Sequence, residues 1–134
     1  MDLKALDTAL QAIAEKRNEL SKIDYNNPKY DDLEEQLHDL EDDFQEEFGE
    51  YLEEVLQKVH DEISPDTDIL FPIAYIAKSY QVSSKEFAVA GTEGVFVEVD
   101  KFPGKETKLV IAPKPLRVIL NIGADKQQVV WTAK

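Results

Sequence analysis

The residues best suited to chemistry in this 134-residue chain sit in one run, EEQLHDLEDDFQEEF (34–48), which holds eight carboxylates and a histidine. Within it, Glu35-x-x-His38 has the spacing of carboxylate metal sites built on helices. Such sites take a Glu-x-x-His from each of two helices and a single Glu from each of two others. The pattern occurs once, because His60 is preceded at the matching position by Gln57. A symmetric dimer could double the set, with Glu15 or Glu19 from the first helix as further donors, so the count does not decide the matter. Direction does: Leu37 and Leu40 occupy the apolar seam, which turns Glu35 and His38 away from a bundle core. Neither a metal nor another cofactor is expected, and Glu35 and His38 are left as residual metal candidates on a solvated face.

The remaining carboxylates of this region, among them Asp39, Asp42, Asp43, Glu46, Glu50 and Glu53, have few basic partners one helical turn away. Each like-charged pair at that spacing destabilises an isolated helix by a few tenths of a kcal/mol, roughly. A helix that only needed solubility would usually mix signs. These six are therefore the candidate interaction residues, facing a protein with a basic surface or loosely held cations, although solubility alone would also account for them. Other chemistry is poorly supplied. Cysteine is absent, Ser79, Ser83 and Ser84 lack a nucleophile-elbow context, and Gly91-Thr92-Glu93-Gly94 lacks the Lys-Ser/Thr of a phosphate loop. No acid, base and nucleophile can be seen to converge, so a non-enzymatic role is expected.

The charge is unevenly placed. Of 15 basic and 28 acidic side chains, residues 1–63 hold 6 and 20, and residues 64–134 hold 9 and 8. The net −13 thus belongs to the first half, a surface that repels nucleic acid and anionic lipid and attracts basic patches. The N-terminus lacks a basic start followed by an apolar run, and no stretch approaches a membrane span. A cytoplasmic protein is the simplest expectation.

The elements that must carry these residues follow from periodicity. Leu3, Leu6, Leu10, Ile13, Arg17 and Leu20 recur in steps of three and four, and Asp2 is placed to cap them, predicting helix 1 over about 2–23. Leu33, Leu37, Leu40, Phe44, Phe48, Tyr51, Val55, Val59 and Ile63 continue that rhythm, predicting helix 2 over about 29–63. An antiparallel hairpin pairs Ile13 with Leu40, Leu10 with Phe44 and Leu6 with Phe48, and brings Arg17 within reach of Glu34 or Glu41. Gly49 is a costly residue inside helix 2 and marks a bend or a close contact. The end of helix 2, from Leu52, outlasts helix 1 and needs an apolar partner from the second half. There, residues 95–99, 107–112, 116–122 and 128–132 read as strands joined by short turns, an antiparallel meander with one face partly wet. Residues 72–80 have mixed helix and strand spacing and are read as a short helix.

Two patterns carry a resemblance. IAKSYQVSSKEF (76–87) resembles a helix-turn-helix in residue types, with Ala77, Val82 and Phe87 at packing positions and Gln81 where glycine is usual. An acidic hairpin tip, Asp24, Asp31 and Asp32, followed by a small β-rich unit is similar in layout to transcript-cleavage factors that reach into bacterial RNA polymerase. That similarity covers the order of elements, and the family's C-terminal signature is not found in Phe71-Pro72-Ile73-Ala74 or the residues C-terminal to it. The resemblances imply a transcription-related regulator touching DNA or polymerase through 76–87 or the tip, whereas the negative charge disfavours nucleic acid.

The reading as a whole is α+β: an acidic, coiled-coil-like helical hairpin (1–63) packed on a small antiparallel sheet of about four strands within 64–134. The function expected is a protein-protein interaction or assembly module. Helix 1 also carries Ala5, Ala9 and Ala12 beside its leucines, small residues that let another helix approach, so a homo-oligomer formed through the hairpin is expected.

Overall fold

The computed structural model of the protein describes residues 1–133. It is α+β, with two long helices packed against a small four-stranded antiparallel sheet. Helix α1 spans Leu3–Ser21, and the Asp2 side chain accepts from the Ala5 N–H at 3.0 Å, satisfying one of the donors a helix start leaves free. Helix α2 spans Tyr30–Ile63, about 51 Å at 1.5 Å per residue. In the connection between them, Asp24 and Asn27 side chains accept from the N–H groups of Asn26 and Lys29, both at 2.9 Å.

The hairpin forms because the two apolar stripes bury each other. Leu6, Leu10 and Ile13 of α1 are fully buried, and so, nearly, are Phe44 and Phe48 of α2. Side-chain bonds along the seam's edge fix the register: Lys16 donates to Gln36 at 3.1 Å and Arg17 pairs with Glu41. Beyond the reach of α1, Leu52, Val55, Leu56 and Val59 are buried by the second half of the chain, where a single 3₁₀ turn at Pro72–Tyr75 packs on α2.

The sheet has the order β3 (Val95–Phe96), β4 (Thr107–Ala112), β5 (Arg117–Ile122) and β6 (Lys126–Thr132), each antiparallel to its neighbour. A separate two-stranded hairpin joins β1 (Gln81–Val82) to β2 (Phe87–Ala88). All six residues of β5 are buried. Leu109, Ile111, Val118 and Leu120 on one face belong to the same core cluster as the helix leucines. The other face, expected to be partly wet, is covered over β5 by the strap of chain at 87–93 and is exposed along β6 at Gln127, Val129 and Thr132. Arg117 and Asn121 share that face, and they donate to the carbonyls of Phe87 at 2.8 Å and of Ala90 and Glu93 at 3.1 and 2.9 Å. Buried polar groups need partners, and the strap's backbone supplies them.

Three expectations are corrected. The helix expected over 72–80 is only the 3₁₀ turn at Pro72–Tyr75, after which Ile76 is extended and bridges in parallel to Ile111. Other partners, most of them distant in sequence, take the backbone groups that a helix would have used. Arg17 donates to the carbonyls of Ile76 and Ala77, both at 3.0 Å, the Tyr80 hydroxyl accepts from the Ala77 N–H, and the Asn18 amide both donates to and accepts from the Tyr80 backbone. Residues 76–87 form no helix-turn-helix. Val82 and Phe87 face each other across the β1–β2 hairpin, and the Ser83 hydroxyl closes its turn on Glu86, a local bond that competes with helix. The strand expected at 95–99 is limited to Val95–Phe96, although Val97 adds one more backbone bond to Thr107 at 2.9 Å.

Candidate interaction surface

The seam determines which carboxylates α2 shows to its surroundings. Because Leu37, Phe44, Phe48 and Leu52 face inward, Asp39, Asp43, Glu46, Glu50 and Glu53, in alternating steps of four and three, form a stripe elsewhere on the helix, with Asp42 beside it. Asp39, Asp42, Asp43, Glu46 and Glu50 are exposed and Glu53 is half-buried. Among the described residues none of the six makes an ion pair. Glu41 differs. It lies half-buried at the seam, where its carboxylate receives Arg17, one of the two partners the register allowed. The Arg17 guanidinium thus joins α2 to the carbonyls of Ile76 and Ala77, and closes the space between the hairpin and the second half.

Glu35 and His38 are both exposed. Among the described residues no group of three or more His, Asp or Glu side chains is arranged to hold a metal ion. The second histidine has a different environment. His60 is buried, with Nδ1 2.8 Å from the Thr67 carbonyl and Nε2 3.0 Å from the Tyr75 hydroxyl. A carbonyl only accepts, so Nδ1 carries a proton, and in the neutral imidazole Nε2 accepts from the Tyr75 hydroxyl. The Tyr75 oxygen in turn accepts from the Leu70 N–H at 3.0 Å. Burial pushes the Tyr75 phenol up, opposed by that N–H, so it remains a neutral donor. This chain of bonds fixes residues 67–75 on the end of α2.

The segment so fixed exposes two large apolar side chains. Leu70 is 47% and Phe71 71% exposed, and with Ile69, Ala74 and Glu53 they line an open cleft of about 490 Å³. Glu53 therefore belongs both to the acidic stripe and to the cleft. Sequence reasoning missed this pairing, because the run Ile69-Leu70-Phe71 has the composition of a buried segment. It also missed Asp7, whose carboxylate oxygens accept from the Lys114 N–H at 3.0 Å and the Leu116 N–H at 3.1 Å, tying α1 to the β4–β5 turn. Nothing in the local pattern of helix 1 distinguishes Asp7 from a solvated acid.

At the hairpin tip Asp24, Asp31 and Asp32 are exposed, and the Tyr25 and Tyr30 rings meet at a tilt of 54° with centroids 5.4 Å apart. On α1, Ala5, Ala9 and Ala12 are half-buried. Among the described residues no helix is long and apolar enough to cross a membrane. Comparison of the chain with protein-family models, with curated proteins and with solved structures finds no significant match in any of the three.

Proposed function

We propose that the protein is a non-enzymatic interaction module, and that the acidic stripe of α2 receives a protein partner with a basic surface. The observation that carries this reading is the run Asp39, Asp43, Glu46, Glu50 and Glu53 on one side of a single rigid helix, without counter-charges among the described residues. Holding like charges in line costs helix stability, and a complementary surface returns that cost on binding while speeding encounter. The test is pull-down from the native cell with mass spectrometry, comparing the wild type with a variant carrying Asp39→Asn, Asp43→Asn, Glu46→Gln and Glu50→Gln. Loss of a basic partner from the variant alone supports the reading, and identical partners for both proteins contradict it.

Assembly of the chain with itself is a second reading, supported by half-buried Ala5 and Ala9, which with Asp2, Lys4 and Thr8 line a shallow surface on α1. Such small side chains let a second helix approach closely. Light scattering across a concentration series tests it: a dimer that dissociates on Ala9→Glu supports it, and a monomer throughout removes it. The transcription-related reading has no recognition helix in 76–87 to rest on, which leaves it the acidic tip, Asp24, Asp31 and Asp32.

A further inference from the structure

Resting on the acidic-face reading, we infer that the cleft at Ile69, Leu70, Phe71 and Ala74 is the anchor pocket of that surface, and that its occupant is a basic helical segment of a partner protein carrying one large apolar side chain. Phe71 and Leu70 are exposed without being loosely held. The Tyr75 hydroxyl binds the Leu70 N–H at 3.0 Å, the Ala74 N–H binds the Phe71 carbonyl at 2.9 Å, and His60 holds Thr67. Two large apolar groups fixed in water beside an open cleft mark a contact surface rather than a stray exposed residue.

Charge complementarity identifies the occupant. Glu53 lines the cleft, and Glu50, Glu46, Asp43 and Asp39 lead away from it along α2 in steps of three and four, about 21 Å from end to end. A partner helix lying alongside has the same rise per residue, so lysines or arginines at its own three/four spacing meet successive carboxylates while an apolar side chain near one end enters the cleft. Nucleic acid has the wrong sign, and a purely apolar partner would leave the carboxylates facing it unpaired. Buried anchors of this kind carry most of the affinity of an interface, while rim charges contribute mainly salt dependence and encounter rate.

The test uses the full chain and two synthetic helical peptides with lysines at three/four spacing, one bearing a Phe near its end and one with Ala in that place, followed by fluorescence anisotropy. The Phe peptide should bind the wild type about tenfold more tightly than the Ala peptide, the loss typical of removing an anchor. Phe71→Ser, at a position 71% exposed, should abolish that difference while leaving the far-ultraviolet circular dichroism of the chain unchanged. Glu46→Gln with Glu50→Gln should weaken both peptides. If Phe71→Ser leaves the preference for Phe unchanged while the Gln variant weakens both, the cleft inference is overturned and the acidic-face reading stands. If the Gln variant binds both peptides as the wild type does, or neither peptide binds the wild type, both are overturned.

Discussion

Gly49 offers a sharp test of how well the packing of α2 is understood. It is buried in mid-helix on the side of the acidic stripe, and a Cβ added there would meet Gln45 Nε2 at 2.3 Å and Cδ at 2.9 Å, with no other obstacle closer than 3.6 Å. The obstacle is the end of a flexible side chain. Gln45 Oε1 is also buried without a hydrogen-bond partner among the described residues, so the amide gives up little by swinging into water. Gly49→Ala then removes the helix cost of glycine, about 0.8–1 kcal/mol, and relieves an unpaired acceptor worth roughly 1 kcal/mol, less the packing the amide loses. A net gain of about 1–2 kcal/mol is expected, raising Tm by roughly 4–8 °C for a chain of this size. Urea denaturation followed by circular dichroism measures it. A destabilised Gly49→Ala, not rescued by Gln45→Ala in the same chain, would refute the reasoning, because it would mean that backbone approach rather than the Gln45 amide requires the glycine.

Asp7→Ala leaves the Lys114 and Leu116 N–H groups without their carboxylate partner and should cost about 2–3 kcal/mol in denaturant unfolding, with Asp7→Asn costing less. Tyr75→Phe removes the hydroxyl shared by His60 Nε2 and the Leu70 N–H. It should cost about 1–3 kcal/mol, and hydrogen exchange at Leu70 should rise more than exchange in α1. Alkaline pH should also destabilise the protein. Burial raises the Tyr75 and Tyr80 phenols above the ordinary value of 10.0, so the native state holds protons that the unfolded chain has lost. Their contribution is complete below pH 10 and falls above it, by up to about 1.4 kcal/mol per pH unit for each group. Tyr80→Phe should flatten that fall, and an unchanged slope would count against the burial argument.

The helical hairpin was legible in the sequence because its determinants are local. Leu6, Leu10 and Ile13 repeat at helical spacing, Asp2 precedes them, and the matching stripe on α2 fixes the register that joins Arg17 to Glu41. Strand β4 likewise runs from Thr107 to Ala112, where the flanking turns placed it. Residues 72–80 were not legible, because Arg17 and Asn18, some 60 positions earlier, satisfy the carbonyls of Ile76, Ala77 and Tyr80 and remove the need for a helix. The covering of β5 on the sheet's second face has the same cause: Arg117 and Asn121 look like wet-face residues until the strap at 87–93 supplies their acceptors, while the same face stays wet along β6. At the candidate surface the acidic stripe follows from spacing alone. The cleft does not, since hydropathy assigns Leu70 and Phe71 to the interior, whereas the bonds from Tyr75 and His60 hold them on the outside.

The claim that the α2 stripe is where a basic partner sits is tested most directly by zero-length coupling of carboxylates to lysines in native extract, with the joined peptides mapped by mass spectrometry. Links from Asp39, Asp43, Glu46, Glu50 or Glu53 to lysines of another protein are the predicted result. Links confined to Asp24, Asp31 and Asp32 at the hairpin tip, or a stripe that never couples to another chain, would contradict it.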